Sequence, residues 1–358
     1  MKILFITVRS DFGGGPRHVN QLIKELPKEC EVFIAYPEEG DPYAEFWKKD
    51  KRIKKNLFIP YRKFSIKALF ALKKFVKDNG IDIIHSHGNG AGLYSRLLRL
   101  LGVEAKVIHT FHGISDEYSS RIKFMISIAV GWLLEPMADK YIAVSNGEKN
   151  LGIKWGFCKD ENCQVIYNGI EDEGLGLKNY KKREIVTISR YDYQKNMSLC
   201  LDIVRLMKDD DVKFVWVGDG EDFAAIKKIV DNEKLPVNMV GFQIKPIDFL
   251  KKATVYLSTS RFEGLPYALI ESASVGLPIV ATDVKGNNEV VRNSENGFTF
   301  RSANEGARAL RKILNNEVEY YCMSENSRKM FEMYFAIEVM ISKLIKLYLS
   351  LLEIKNSK

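Results

Sequence analysis

Short apolar runs alternate with longer segments of helical periodicity along this chain of 358 residues, and the alternation starts afresh in the second half. This pattern is typical of parallel sheets covered by helices. Because the length exceeds one ordinary core, the pattern predicts two α/β domains in tandem. The expected strands are residues 3–8, 32–36, 81–85, 106–110 and 140–144 in the first half, and 184–188, 213–217, 237–240, 254–257 and 278–281 in the second.

A polar stretch separates the two halves. Residues 171–183 are rich in Gly, Glu and Lys and carry few apolar side chains, so we predict a linker there. The two domains then comprise residues 1–170 and 184–335. Residues 336–358 contain a last helix, whose apolar positions recur at helical spacing and predict a packing face.

Several features favour a cytoplasmic protein. The five cysteines form no CxxC motif, which favours reduced thiols over a disulfide framework. The first residues resemble a buried strand more than a secretory signal, since no small-residue cleavage site follows them. The longest apolar run, residues 124–134, is shorter than the roughly 20 residues of a membrane-spanning helix. We therefore expect no transmembrane span.

Positive charge is concentrated in one basic segment, residues 48–77. This segment holds twelve Lys or Arg and one Asp, a local charge of +11, so the rest of the +8 chain carries −3. Ser65 is placed to cap an amphipathic helix that ends before Gly80 and turns Ile66, Leu69, Phe70 and Val76 toward its apolar side. Two interpretations stay open, a solvated helix and a patch that binds anionic lipid head groups. No nucleic-acid-binding module accompanies the charge, so we expect no nucleic-acid partner.

Glycine turns follow two of the predicted strands. DFGGGPRH spans residues 11–18 and GDGE spans residues 218–221. Ligands of open parallel sheets gather beyond the carboxyl ends of strands, and glycine lets backbone amides approach an anion closely. Each motif by itself is equally well explained as a tight turn without a ligand.

Charged residues follow two other strands of the second half. Arg190 and Lys195 come after the strand at 184–188, and two such cations suit a diphosphate, although an ordinary surface pair is the alternative. Glu263 precedes a helix start marked by Pro266, and Glu271 lies within that helix. A carboxylate is repelled by phosphate, so both glutamates suit hydroxyl groups on either side of a diphosphate. The alternative is a helix-start acid and an exposed glutamate.

Four of the five histidines follow two strand ends in the first half. His85 and His87 share a strand face, while His109 and His112 come from the next run. A zinc site is conceivable, but no cysteine or carboxylate joins them at ligand spacing. We therefore favour hydrogen bonding to a substrate, or simple half-burial, and expect no metal.

The motifs SRYDYQKN, VGDGE, STSRFEGLPYALIES and GLPIVATDVKGNNEVV, in this order, resemble the retaining glycosyltransferases of the GT-B fold, family 4 in particular. The resemblance implies two Rossmann-like domains facing a central cleft, with the helix of residues 336–358 crossing back to the first domain. It implies transfer of a hexosyl unit, with retained configuration and without metal or other cofactor. The expected donor is a nucleotide sugar, with UDP favoured, and the expected acceptor is a glycan or polyprenyl-linked glycan of bacterial surface polysaccharide or lipopolysaccharide.

The resemblance also assigns residues. Arg190 and Lys195 would contact the diphosphate, Glu271 the ribose, and both Glu263 and His112 the donor sugar, so that His112, Glu263, Arg190 and Lys195 form the catalytic set. The remaining donor contacts would come from Gly14 and Gly15 in the first domain, the amides of Gly264 and Leu265, and Gly241 and Phe242 near the base.

The expected acceptor would enter from the first domain, near His85, His87 and the basic segment. The basic segment would then hold the cytoplasmic protein on the inner face of the membrane. Two rival functions share the architecture: a sugar-nucleotide epimerase, and a non-catalytic sugar-nucleotide-binding subunit.

Overall fold

The structure, a computed structural model, describes residues 1–39, 42–114, 121–177 and 179–356. These residues form two compact units. The first unit comprises Met1–Asn168 together with the C-terminal segment that begins at Ile337, and the second comprises Gly169–Ala336.

The first unit is a parallel sheet covered by helices. Its strands are β1 (Lys2–Thr7), β2 (Glu31–Tyr36), β3 (Ile53–Phe58), β4 (Ile83–His87), β5 (Lys106–Thr110), β6 (Lys140–Ala143) and β7 (Cys163–Val165). Its helices up to this point are α1 (Gly14–Glu25), α2 (Tyr43–Lys49), α3 (Ile66–Asn79), α4 (Asn89–Leu100), α5 (Arg121–Leu134) and α6 (Asn146–Lys154), with 3₁₀ turns at Glu135–Met137 and Asp160–Asn162. Within the described residues the strand order is β3-β2-β1-β4-β5-β6-β7.

The second unit repeats this architecture. Its strands are β8 (Glu184–Ile188), β9 (Lys213–Val217), β10 (Val237–Gly241), β11 (Val255–Ser258), β12 (Ile279–Thr282) and β13 (Gly297–Phe300). Its helices are α7 (Met197–Leu206), α8 (Phe223–Asn232), α9 (Ile247–Leu250), α10 (Tyr267–Ser274), α11 (Asn287–Val290), α12 (Ala303–Leu314) and α13 (Glu317–Met330), with a 3₁₀ turn at Tyr180–Lys182 and a π turn at Phe331–Phe335. In the described part of the chain the strand order is β10-β9-β8-β11-β12-β13.

Both sheets reverse their strand order at one place. In the first unit β1 lies between β2 and β4, and in the second β8 lies between β9 and β11. All of these pairs are parallel, with Thr7 opposite His87 and Val186 opposite Tyr256. The crevice beyond the carboxyl ends of such a strand pair is where doubly wound sheets bind ligands. The topology thus predicts ligand sites at the ends of β1 and β4 and at the ends of β8 and β11.

The last helix, α14 (Ile337–Asn356), belongs to the first unit. Its buried side chains Met340, Leu344 and Tyr348 join the core that contains Ile3 and Phe5 of β1. The chain therefore leaves the first unit after Asn168 and returns to it at Ile337.

The stretch predicted as a linker, residues 171–183, lies against the second unit. The amide of Gly176 donates to the carbonyl of Val275 at 3.0 Å, and the amide of Leu177 donates to the carbonyl of Lys251 at 2.7 Å. Asp172 forms an ion pair with Arg328. Backbone hydrogen bonds hold this polar segment in place without an apolar core of its own, which is why its composition alone suggested a linker.

Three of the observed strands, β3, β7 and β13, were not predicted from the sequence. β3 and β13 lie at sheet edges, where a strand needs few buried side chains, and β7 has three residues. β4 also begins two residues later than expected, so that His87 is its last residue.

The basic segment comprises the end of α2, β3 and α3. Ser65 caps α3 by accepting a hydrogen bond from the amide of Ala68 at 3.3 Å, and Gly80 ends it in a left-handed conformation, as predicted. The expected apolar side was partly wrong, because Ile66 and Phe70 are 65% and 55% exposed. The buried side contains Leu69 and Val76, as predicted, together with Ala68 and Leu72. Apolar side chains and lysines therefore share the exposed surface of this segment.

The longest apolar run forms α5, whose Trp132 and Leu133 are exposed. Among the residues described, no helix has both the length and the apolar character needed to cross a bilayer. All five cysteines lie in the described part of the chain and are free thiols.

Candidate active site

The glycine turn after β1 leads into α1 and lies beside a histidine. Gly14 is the first residue of α1. A methyl group added to Gly15 would lie 3.7 Å from the His112 ring, so the start of α1 lies close to that ring. In the preceding loop, Arg9 forms a double hydrogen bond with Asp11 at 2.8 and 2.7 Å, which neutralises the arginine close to the turn.

Three histidines come together at the carboxyl ends of the first sheet. His87 ends β4, His112 follows β5, and His18 projects from α1. One ring nitrogen of each lies within 4.8 Å of one from each of the others. His87 Nδ1 and His112 Nε2 share a hydrogen bond of 3.1 Å, and His18 Nδ1 bonds to Asn168 Oδ1 at 3.0 Å. We call these three residues the histidine cluster.

The histidine cluster is neutral at physiological pH. Burial is the main reason that the pKa of His18 falls to about 4 and that the pKa values of His87 and His112 fall well below the ordinary value of 6.5. Like charges on neighbouring imidazoles lower the pKa values of His87 and His112 further. The cluster can therefore accept as well as donate hydrogen bonds.

Glu148 fixes the loop that carries His112. Its carboxylate is fully buried and accepts hydrogen bonds from the amides of Gly113 and Ile114 at 2.6 and 3.0 Å, and from Val144 at 3.0 Å. Neither the role of Glu148 in holding this loop nor the place of His18 in the histidine cluster was predicted from the sequence. The signal available for Glu148 was the Ser145 cap three residues earlier, because a capping acid at that spacing often bonds to backbone amides.

The structure corrects the expectation for the other two histidines. His85 is buried in the core, with Nδ1 bonded to Tyr348 of α14 at 2.6 Å and Nε2 bonded to Thr110 at 2.7 Å. Both of its nitrogens are satisfied by the protein, so it cannot also bind an acceptor. His109 is fully buried as well and bonds through Nδ1 to Ser86 at 3.0 Å. Half-burial was thus the wrong expectation for these two residues.

In the second unit, the loop after β8 presents Arg190 and Lys195. Arg190 is half exposed and pairs with Asp192 at 3.0 Å. Lys195 is more enclosed, and its Nζ lies 2.5 Å from Glu263 Oε1. Because Glu263 follows β11, this ion pair joins the two loops at the point where the strand order reverses.

Gln194 links the groups on both loops. Its Nε2 donates to the carbonyl of Phe262 at 3.0 Å and to Glu263 Oε2 at 3.4 Å, and its Oε1 accepts from Arg190 Nη2 at 3.2 Å. Arg190, Lys195 and Glu263 are therefore held in one network. Sequence reasoning had not selected Gln194, since a glutamine between two cations carries no specific signal.

Glu271 lies on α10, whose N-cap is Pro266. Glu271 and Glu263 are each only 8% exposed, so the alternative of an exposed Glu271 does not hold. Burial raises the pKa of Tyr256, and the charges of Glu271 and Glu263 raise it further, which places both carboxylates around this side chain. A small pocket lies at the same strand ends, lined in part by Ser189, Lys195, Ser258, Thr259 and Pro266.

Backbone geometry explains several glycines near this pocket. Gly218 has a φ of +137°, and an added methyl group would lie 1.8 Å from the carbonyl oxygen of Ser189. Gly286 has a φ of +86°, and a methyl group added to it would lie 2.5 Å from the carbonyl oxygen of Gly264. The close contact of two loops is sufficient to explain the glycine at position 218 of the GDGE motif.

The residues expected near a base occupy the end of β10. Gly241 has a φ of +79° and accepts a hydrogen bond from the amide of Gly218 at 2.9 Å. Phe242 is 55% exposed, and Leu265 is buried. Gly241 is the last residue of β10, and Phe242 follows it. Since β9 separates β10 from β8, both residues lie to one side of the pocket at the ends of β8 and β11.

Family models match both halves of the chain. Residues 12–173 match the model described as Glycosyltransferase Family 4, and residues 171–330 match Glycosyl transferases group 1. Two curated relatives are each 27% identical. One is the Escherichia coli UDP-Gal:alpha-D-GlcNAc-diphosphoundecaprenol alpha-1,3-galactosyltransferase, covering 98% of this chain and 97% of the relative. The other is the Campylobacter jejuni N-acetylgalactosamine-N,N'-diacetylbacillosaminyl-diphospho-undecaprenol 4-alpha-N-acetylgalactosaminyltransferase, covering 82% and 84%.

A solved structure shares the fold. The Anabaena protein HepE in complex with UDP superimposes with a TM-score of 0.85 at 16% identity, over 98% of this chain and 100% of that one. This likeness confirms the GT-B fold, with its two Rossmann-like domains, that was predicted from the sequence. The two family models, which together match residues 12–330, support a glycosyltransferase of the family 4 type with this fold.

Proposed function

We propose that this chain is a retaining hexosyltransferase that uses a UDP-sugar and a lipid-diphosphate-linked glycan acceptor in bacterial surface polysaccharide or lipopolysaccharide assembly. The observation that carries the proposal is the network of Arg190, Gln194, Lys195 and Glu263 at the reversal of strand order in the second sheet. Such a network offers cations to a diphosphate and a carboxylate to hydroxyl groups in one place.

The donor would replace protein partners of this network. Lys195 and Arg190 are each paired with a carboxylate, and a diphosphate bound there would compete for both cations. Glu263 would then turn its freed oxygen to a sugar hydroxyl, while the buried Glu271 would accept hydrogen bonds from the ribose. Support for UDP comes from the E. coli relative, whose name contains UDP-Gal, and from HepE with its bound UDP.

The proposed reaction keeps the anomeric configuration. The bond from the anomeric carbon to the diphosphate oxygen breaks, and a bond from the same carbon to the acceptor oxygen forms on the same face. The acceptor proton passes to the departing diphosphate. Arg190 and Lys195 stabilise the negative charge that develops there, a role that requires no metal ion.

The first unit would supply His112, Gly14 and Gly15. His112 is neutral and lies against the glycine turn, so its ring can donate a hydrogen bond to a hydroxyl or carbonyl oxygen of the donor sugar. Glu148 holds the His112 loop through the amides of Gly113 and Ile114, and this fixes where that contact is made.

The acceptor proposal rests on the relatives and on the basic segment. Both relatives are named for substrates linked to undecaprenyl diphosphate. In this chain the basic segment exposes Phe58, Phe64, Ile66 and Phe70 among its lysines. Apolar and basic side chains on one surface suit the boundary of an anionic membrane, where such an acceptor resides.

The first test is a panel of UDP-, GDP-, ADP- and dTDP-sugars, each measured by thermal shift and by slow hydrolysis with purified protein. We expect a UDP-sugar to stabilise the chain and to be hydrolysed slowly. The stabilising donor is then supplied with a short-chain lipid-diphosphate glycan, and the linkage of the product is determined by NMR.

Each alternative has its own outcome in this assay. An epimerised sugar nucleotide formed without acceptor would replace the proposal by an epimerase, and an inverted linkage would overturn retention. Binding without any turnover, in the presence of the acceptor, would favour the non-catalytic subunit. Absence of binding across the panel would contradict the donor site itself.

A further inference from the structure

Within the described residues, not every buried ring nitrogen of the histidine cluster has a hydrogen-bond partner. His18 and His87 are each 3% exposed, and His112 lies next to them in partial contact with solvent. Among the described residues, no hydrogen-bond partner is found for the buried His87 Nε2. A buried, unpaired ring nitrogen is costly, and the three imidazoles present further ring nitrogens to one another at short range.

The spacing of the ring nitrogens fits metal coordination. Two imidazole nitrogens bound to one tetrahedral ion at about 2.0–2.1 Å are separated by about 3.3 Å. His87 Nδ1 and His112 Nε2 are 3.1 Å apart, and a nitrogen of His18 completes a set within 4.8 Å. Small side-chain rotations would therefore bring all three nitrogens to one ion, with loss of the His87–His112 hydrogen bond.

The tautomer of His18 is also suitable. Its Nδ1 donates to the amide oxygen of Asn168 at 3.0 Å, which leaves the lone pair on Nε2. Metal-binding histidines commonly donate their other nitrogen to an oxygen in this way, because it fixes the ring and raises its basicity.

We propose that His18, His87 and His112 bind one divalent transition-metal ion of the zinc class, leaving a fourth position open. The ligand set is uncharged, and Arg9 is already paired with Asp11. The ion therefore keeps its charge beside the N-terminus of α1, where the helix dipole disfavours cations. Binding is reversible for this reason, unlike that of a structural zinc site with cysteine ligands.

Metal binding would also inhibit transfer, a consequence that rests on the proposed function. An ion bound to His112 occupies the ring that we assign to the donor sugar. The apo chain would then be the active form, and zinc would act as an inhibitor that chelation reverses.

The test uses the full chain without a histidine tag, in a Cys322→Ser background that removes the one exposed thiol found in the structure. After chelation and dialysis, cobalt(II) is titrated and its visible d–d bands are followed, and zinc stoichiometry is measured by mass spectrometry of the metal. We expect one ion per chain and the intense absorption of a four- or five-coordinate cobalt site. Wild-type protein without a cobalt spectrum, or without zinc after dialysis against micromolar metal, overturns the proposal.

Variants then locate the site. Asn168 orients the His18 ring, and the loss of such an orienting residue typically weakens metal binding roughly 10- to 100-fold, which we expect for Asn168→Ala. His18→Gln removes a ligand and should weaken cobalt binding more. His109→Gln is the matched control, since His109 is also buried at the end of its strand but lies outside the cluster. Equal metal binding by folded His18→Gln and His109→Gln would contradict the assignment.

The inhibitory consequence has a separate readout. Zinc should inhibit transfer with the same midpoint at which it displaces cobalt. Metal binding without inhibition would leave the metal site in place and contradict the role given to His112, whereas a chain that binds one cobalt but has no transferase activity would contradict the proposed function alone.

Discussion

The two units use the same sheet topology to present opposite chemistry. Where β1 meets β4, the first unit gathers three neutral, enclosed imidazoles with no described carboxylate among them. Where β8 meets β11, the second unit gathers two cations, each paired with a carboxylate, and the Arg190–Asp192 pair is more open to solvent than the Lys195–Glu263 pair. The reversal of strand order determines where each site lies, and the loop residues determine what it can bind.

The difference has an electrostatic origin. Ion pairs near solvent can exchange a protein carboxylate for a ligand phosphate at modest cost, because charge is replaced by like charge. Buried imidazoles avoid charge altogether, since burial lowers their pKa values. The second unit thus suits an anionic ligand, and the first suits neutral hydroxyl groups or a metal ion.

The largest effect should come from Lys195. The change Lys195→Gln keeps the length of the side chain but removes the charge that faces the departing diphosphate, and we expect kcat/KM for transfer to fall roughly 100- to 1000-fold. Steady-state kinetics with the donor found in the panel measures this. Lys227→Gln is the matched control, since Lys227 pairs with Asp231 on the exposed surface of α8. Similar kinetics for both variants would contradict the placement of the diphosphate.

The basic segment provides the next test, because it lies in the first unit. Replacing Lys54, Lys55, Arg62 and Lys63 by Gln should lower binding to phosphatidylserine vesicles by up to roughly 1000-fold, given about 1 kcal/mol for each of the four charges near the surface. Vesicle co-sedimentation at low salt measures the change, and activity toward a water-soluble acceptor should be retained.

A matched set of four exposed lysines in the second unit serves as the control. Replacing Lys227, Lys228, Lys234 and Lys245 by Gln removes the same charge from elsewhere on the chain. If both sets of changes weaken vesicle binding equally, the attraction arises from net charge, and the basic segment is a solvated surface.

Glu271 should affect binding more than chemistry. Glu271→Ala removes the acceptor proposed for the ribose hydroxyls, and we expect a 10- to 100-fold weaker donor Kd, from about 1.5–3 kcal/mol for hydrogen bonds to a charged group. Calorimetry with the donor measures Kd, and kcat at saturating donor should change little. Glu325→Ala, at an exposed position of α13, is the control. A lower kcat with unchanged Kd would move Glu271 to the reacting centre.

The smallest effect concerns pH. Because the folded pKa of His18, about 4, is below the unfolded value of about 6.5, the unfolded chain takes up a proton first as the pH falls. Stability is therefore present above about pH 6.5 and is lost as the pH falls toward 4, by about 1 kcal/mol for this residue at about pH 5.5.

Hydrogen exchange can separate the two units in this experiment. All five histidines lie at or before residue 112, so the added exchange at low pH, after correction for the intrinsic rate, should concentrate in the first unit. A His18→Gln chain should show a smaller pH dependence there. An equal loss of protection in β8 to β13 would assign the effect to carboxylates instead.

Much of the fold follows from local pattern. Runs such as residues 213–217 are apolar because strands in the middle of a parallel sheet are covered on both faces. β3 escaped prediction because its IKKNLF sequence lies at an edge and leaves three consecutive side chains exposed. The cap of α3 at Ser65 was predictable, since capping depends on neighbours in sequence, whereas the exposure of Phe70 depends on what packs against the helix.

The candidate site was predictable in part for the same reason. Arg190, Lys195, Glu263 and Glu271 were selected by their positions after strands and within motifs, and the structure joins Lys195 directly to Glu263 across 68 residues. Gln194, Glu148 and His18 were not selected. Their importance lies in partners distant in sequence, and no local pattern distinguishes such residues from ordinary polar positions.

By itself, the sequence determined two α/β domains, the strand ends that carry charge and glycine, and the segment that carries the excess positive charge, because each of these depends on residues close together in the chain. The tertiary structure alone decided that His85 is part of a core while His18 is part of a cluster, and that Glu263 neutralises Lys195. Those outcomes depend on burial and on contacts between segments that are distant in the chain. Burial and such contacts determine the pKa values and hydrogen-bond partners of these side chains, and neither follows from the neighbouring residues in the sequence.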